Sequence, residues 1–190
     1  KEVKEWSQRT GLLRNLLSSV AGYCVALVFK TLPGTIRSNK HNVHVRVVAH
    51  DPETLWVDHR RGDFVTPVSS RILYEGKTGI LAAGTAPFYG GGLKLFPFAR
   101  MTLSKMHLRL GRIHPIAGFF NIPQIFAGSY RDRSERFGVL DYIGDDFDIR
   151  INHGEGFPFQ HSGESVGMVE HLRMRVVKEP VRFVDFLSER

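Results

Sequence analysis

The stretch Val43-His44-Val45-Arg46-Val47-Val48-Ala49 decides how the chain is read. Valines at 43, 45 and 47 alternate with His44 and Arg46, and successive side chains of a strand point to opposite faces. One face is therefore apolar and the other polar, and the β-branched residues favour a pleated backbone. The segment reads as a half-buried strand. The same alternation returns at Met106, Leu108 and Leu110 against His107 and Arg109, at Phe147, Ile149 and Ile151 against Asp148 and Arg150, and at Leu172, Met174 and Val176 against Arg173 and Arg175. Ile80 to Ala83, bounded by Gly79 and Gly84, reads as a further strand, while Asp51-Pro52 and Arg61-Gly62-Asp63 read as turns. A β-rich body with this density of Gly and Pro suits a sandwich or a barrel.

Upstream the period changes. Leu13, Leu16, Leu17, Val20, Cys24, Leu27 and Val28 recur at helical spacing, which predicts an amphipathic helix ended by Pro33-Gly34. Residues 1–34 are thus expected to form a helical lead-in packed on a β domain spanning 35–190. His114 to Ser129 is apolar but interrupted by Pro115, Gly118, Pro123 and Gly128, which predicts a short helix or packed loop and a candidate lid.

The chain has 190 residues, 42% of them hydrophobic and 24% charged, which excludes disorder, collagen and coiled coil as whole-chain descriptions. A lone cysteine, Cys24, has no partner for an internal disulfide and points to a reducing, cytoplasmic setting. The uncharged run Asn15 to Phe29 is 15 residues long, short of the roughly 20 that a spanning helix needs. The opening Lys1-Glu2-Val3-Lys4 has neither an initiator Met nor a signal-peptide pattern, so a piece of a longer protein is expected. A net charge of +7 favours anionic partners: phosphate esters, anionic lipid surfaces or nucleic acid.

Several catalytic signatures fail on their spacing. Gly76-Lys77-Thr78 lacks the glycine that a phosphate-binding loop places five residues earlier, where Arg71 stands, and it reads as a turn before the strand at Ile80. The nine histidines include no His-x-x-x-His pair with a Glu, and no cysteine pair completes a zinc site, so they read as scattered surface residues. Ser165 stands in the look-alike context Gly163-Glu164-Ser165-Val166-Gly167, and we set hydrolysis aside. Two strings remain. Ala83 to Arg100 contains Tyr89-Gly90-Gly91-Gly92, three glycines after a strand, which fits either a tight loop or the close approach of another group to the backbone. Phe157 to Ser165 places a turn after an apolar strand end and leaves the Glu164 carboxylate available as a base or ligand.

In their order and separation these strings resemble the C-terminal half of the diacylglycerol kinase and sphingosine kinase superfamily, especially its bacterial lipid-kinase branch. Tyr89-Gly90-Gly91-Gly92, Pro97-Phe98-Ala99 and Ser162-Gly163-Glu164 match that family's glycine loop, Pro-x-Ala segment and Asp-Gly-Glu turn. The helix Leu12 to Phe29 is similar to the one that enters the family's domain. The resemblance implies a mainly β fold, a two-layer β-sandwich with an N-terminal amphipathic helix, holding the lipid. It also implies that the nucleotide-binding domain, with its Gly-Gly-Asp-Gly-Thr motif, is absent from this chain.

The implied function is that of the lipid-substrate domain of an ATP-dependent lipid kinase, with a diacylglycerol-like or sphingoid-like acceptor, inactive without its nucleotide half. The alternative is a non-catalytic lipid- or anion-binding β-domain. By resemblance Glu164 is the catalytic residue, and Tyr89, Gly90, Gly91, Gly92, Lys94 and Ser162 bind substrate. ATP and Mg are expected only in the parent protein. The stretch Arg100 to Lys105 lacks the family's acidic metal motif, so no metal is expected here, and Ser162 stands where the turn usually begins with Asp. Lys94, Arg100 and Lys105 instead gather positive charge near the glycine loop, fitting an anionic headgroup or a membrane surface. An apolar crevice is expected near Phe119, Phe120 and Phe126. The partners expected are a lipid, the chain's own nucleotide-binding domain and a membrane surface, with no nucleic acid, because the phenylalanines are expected to face inward rather than interleave with basic residues.

Overall fold

The computed structural model describes residues 43–89, 93–112, 121–131, 138–152, 156–162 and 164–177. The expected N-terminal helix and the crevice residues Phe119 and Phe120 lie outside them. Within them the fold is mainly β, with several antiparallel sheets.

The alternating stretch forms β1 (Val43–Ala49). Val45, Val47 and Ala49 are buried, while Arg46 faces solvent. It lies inside a four-stranded sheet of order β11-β8-β1-β4, beside β4 (Ile72–Thr78) and β8 (Asp146–Asn152), with β11 (His171–Arg175) at the far edge. Pairing Val45 with Ile151 and Val47 with Ile149 puts the apolar residues of β1 and β8 on one face. A second sheet has the order β3-β2-β7-β6-β5, built from β2 (Leu55–Asp58), β3 (Phe64–Pro67), β5 (Ile80–Gly84), β6 (Met106–Gly111) and β7 (Leu140–Gly144). A hairpin of β9 (Phe157–His161) and β10 (Glu164–Val169) forms the third, two-stranded sheet.

One apolar core cluster joins the two larger sheets. Val45, Val47, Phe147 and Ile149 of the first share it with Met106, Leu108, Leu110 and Tyr142 of the second. Fully burying each such side chain stabilises the fold by about 1.5–3 kcal/mol. The Tyr142 hydroxyl donates to the Leu73 carbonyl at 2.9 Å, bonding one sheet to the other, and burial, reinforced by Tyr74, pushes its pKa up to about 12. The chain crosses between the sheets at single-residue corners, Gly79 between β4 and β5 and Asp145 between β7 and β8. At Gly144 a side chain would crowd both Phe147 and Thr54, each 2.8 Å from an added Cβ.

Three expectations change. Gly76-Lys77-Thr78 is the end of β4, paired with Val45, His44 and Val43, rather than a turn, and the turn itself shrinks to Gly79. β6 alternates as expected, but both of its faces are buried, so His107 and Arg109 meet protein instead of water. His107 and His59 are therefore not surface histidines; His50, His161 and His171 are exposed. Within His114 to Ser129 the described part is a short helix, α1 (Ile122–Ala127), which contains Phe126 and ends at Gly128 with φ 67°. No helix among the described residues is long and apolar enough to cross a membrane.

Candidate functional site

Between the sheets the apolar faces part into a half-open cleft of about 1440 Å³. Val43, Val45, Ile149 and Ile151 line it from one sheet, Leu81 and Ala83 from the other, and Phe157 and Phe159 from the hairpin. The volume exceeds the roughly 300–1,000 Å³ of ordinary small-ligand sites. Its polar lining includes Arg100, Gln160, His161, Ser162 and Arg173. An apolar trough with a few polar groups suits a molecule with a long apolar body and a polar end.

The glycine-loop flank and the β9–β10 hairpin meet at this cleft. The Tyr89 hydroxyl donates to Gln160 Oε1 at 3.2 Å, and Tyr89, Gln160 and Ser162 all line the cleft. The Tyr89 amide donates to the Leu93 carbonyl at 2.9 Å, so the two flanks of the loop are joined; Gly90, Gly91 and Gly92 lie outside the described residues. Ser162 follows His161 at the hairpin end with φ 51°, a left-handed conformation that short polar residues tolerate better than branched ones. Glu164 opens β10 opposite His161 and is exposed, next to the cleft residues without lining the cleft itself. Lys94 stands apart: its aliphatic stem packs on Gly128, where an added Cβ would come 2.7 Å from Lys94 Cδ.

Lys105 departs from the expected positive cluster. Its ammonium donates to Asp51 Oδ2 at 2.8 Å and to the Glu53 carbonyl at 2.9 Å, with Glu53 Oε2 at 3.4 Å. Asp51 Oδ2 also accepts from the Asp145 amide at 3.2 Å. Burial works against the charge of Asp51, but the bond and charge of Lys105 together with the amides of Glu53 and Asp145 outweigh it and hold the carboxyl below its ordinary value. Lys105 is thus neutralised within the fold, and Arg100 remains as the exposed cation of this segment. Among the described residues no group of three His, Cys, Asp or Glu side chains is placed to hold a metal ion. Asp51 and Glu53, the carboxylates that reach this segment, bond Lys105.

Sequence reasoning missed a buried charged network on the other face of β6. Asp141, fully buried on β7, accepts a two-pronged bond from Arg109, Nε to Oδ1 at 2.7 Å and Nη2 to Oδ2 at 2.8 Å. His59 Nε2 and His107 Nε2 approach the same carboxylate at 3.0 and 2.9 Å. His59 Nδ1 is 3.0 Å from Asp63 Oδ1, and Asp63 Oδ2 accepts from Arg131 Nε at 2.6 Å. Burial opposes the charge of Asp141, but Arg109 and the two histidines hold its pKa well below the carboxylate range. His59 is pushed down by burial and pulled further up by Asp141 and Asp63, so its pKa ends above the ordinary value. Burial dominates at His107 and lowers its pKa.

The network props the Pro-x-Ala segment. Phe98 packs edge-on against the His107 ring at 5.3 Å, Phe96 does so at 5.9 Å, and the Arg131 guanidinium lies 4.7 Å over the Phe98 ring. Phe96 also fills the space beside Gly84, where an added Cβ would lie 2.5 Å from its ring. The only sequence signal for this network was the pair of polar residues alternating with the apolar ones of β6.

No family model and no curated protein sequence matches the chain. Among solved structures it is similar to one described as a putative diacylglycerol kinase from Bacillus anthracis str. Sterne. The match has 12% identity and a TM-score of 0.45, and covers 74% of this chain and 38% of that one.

Proposed function

We propose that the chain is the lipid-substrate domain of a lipid kinase, in which the two larger sheets are the layers of a β-sandwich and the cleft between them takes the acyl or sphingoid tail. The observation that carries this reading is the apolar cleft whose lining brings together Tyr89, from the glycine-loop string, and Ser162, from the turn that leads to Glu164. A lipid held there presents its hydroxyl toward the polar hairpin end, where Glu164 accepts the hydroxyl proton as a general base. ATP and Mg belong to the nucleotide-binding half of the parent protein.

The exposure of Glu164 and its place outside the cleft lining favour the second reading, a lipid-binding domain without catalysis. Binding and chemistry are separable by experiment. Titrating the protein with a fluorescent diacylglycerol or sphingosine should show saturable binding, which Ala83→Phe, by filling the cleft, abolishes at unchanged thermal stability. No saturable binding refutes both readings. In a lipid kinase assay of the full-length protein, Glu164→Gln should lower turnover by about 10²–10⁴-fold with lipid binding intact; binding without any turnover in the unaltered protein selects the second reading.

A further inference from the structure

The segment after the buried Pro-x-Ala residues turns its apolar side chains outward. Leu103 is 92% exposed and Met101 51%, although both ends of the turn are firmly held. Phe96, Phe98 and Ala99 are buried at one end, and Lys105 is clamped by Asp51 and Glu53 at the other. The Met101 amide donates to the Phe98 carbonyl at 3.1 Å, tightening the turn. Phe88, 58% exposed, projects from the neighbouring segment, and the two segments are tied by the Phe96 amide donating to the Pro87 carbonyl at 3.0 Å. Phe88 and Leu103 both line the cleft. Core packing accounts for none of these exposed groups. Between them Arg100 is exposed and forms no ion pair with another described residue.

We propose that this rim docks on an anionic lipid bilayer, with Leu103, Met101 and Phe88 entering the headgroup region and Arg100 meeting lipid phosphates. Large exposed apolar side chains on an anchored turn, beside an exposed cation, fit the interface of a membrane, where apolar burial and attraction to anionic headgroups add. A chain with a net charge of +7 supplies the long-range attraction. The proposal rests on the lipid reading of the cleft, because Phe88 and Leu103 of this rim also line that cleft.

Flotation with vesicles of phosphatidylcholine alone, and of phosphatidylcholine mixed with phosphatidylglycerol, tests it. The unaltered protein should float with the mixed vesicles and much less with phosphatidylcholine. Leu103→Glu and Met101→Glu should each lower the bound fraction on the order of tenfold, and Arg100→Glu by about fivefold or more, the last shrinking at high salt. All three sites are exposed, so their melting temperatures should not move. Vesicle binding unchanged in Leu103→Glu, or indifferent to phosphatidylglycerol, overturns the proposal. A dimer in solution that Leu103→Glu abolishes also overturns it and assigns the rim to a second copy, and tight binding of a nucleic acid at the same residues assigns it there. Uptake of soluble dioctanoylglycerol without vesicles separates the two readings: vesicle binding without uptake refutes the cleft assignment alone, and uptake without vesicle binding refutes docking alone.

Discussion

Replacing Asp141 with Asn should be among the most damaging single changes in the molecule. The substitution keeps the shape but removes the one negative charge that Arg109 meets in a fully buried setting. An amide oxygen replaces only one of the two acceptors, and losing a charge-assisted bond costs about 1.5–3 kcal/mol. The uncompensated guanidinium raises the total to roughly 3–5 kcal/mol, the usual cost of breaking a buried pair. For a chain of 190 residues, where 1 kcal/mol moves the melting temperature by about 2–4 °C, the midpoint should fall by roughly 6–20 °C. Urea titration followed by circular dichroism measures the free energy, and thermal melts measure the midpoint. A loss below about 1 kcal/mol would show that Arg109 reaches water once its partner is gone, contrary to its burial. The pair Arg109→Met with Asp141→Leu supplies the cross-check, because removing both charges should recover stability relative to either single change. A double variant no more stable than the singles refutes the argument.

Three further outcomes follow from the same geometry. The pKa of His59 is raised on folding, so its contribution is present below the ordinary value near 6.5 and is lost as pH rises through the folded value; His107, lowered on folding, contributes above 6.5 and loses that contribution as pH falls through its folded value. Urea midpoints across pH 5 to 9 should therefore show His59→Gln flattening the alkaline side and His107→Gln the acid side, and the reverse assignment would contradict the contacts. Lys105→Met should destabilise by about 2–4 kcal/mol, since Asp51 and Glu53 lose the cation that they share, and a thermal shift under 2 °C would show these bonds to be dispensable. Gly84→Ala should cost about 1–3 kcal/mol by forcing the Phe96 ring from its seat, read as a lower melting temperature together with loss of near-ultraviolet aromatic ellipticity.

Legibility in the sequence followed periodicity. β1, β8 and β11 have one apolar face toward the core, so a period of two located them. β2 and β3 are only four residues long, too short for an alternation to stand out, and both went unread. β6 was read half correctly, because alternation reports that two faces differ and not that the polar one is open to water. The Asp141 network was illegible for a related reason: Arg109 and His59 come from β6 and the turn after β2, and nothing local at either position names a residue on β7 as its partner. The glycine loop and the Ser162 turn were legible as strings, and the Tyr89 to Gln160 bond joins them through residues about seventy positions apart, a contact that sequence spacing alone does not give.

The single-residue corners at Gly79 and Asp145 carry a consequence for how the chain assembles. Because the chain passes repeatedly from sheet to sheet, the four-stranded sheet pairs β1 with β8 across nearly all of the intervening sequence, and neither layer is contiguous in the chain. Contact order is accordingly high, and loop-closure entropy is lost before the central pairing forms. Folding should run on the millisecond to second scale typical of β topologies, with unpaired strand edges exposed meanwhile. Amide exchange should report the same architecture, with β1, β6 and β8 opening together as one cooperative unit rather than sheet by sheet.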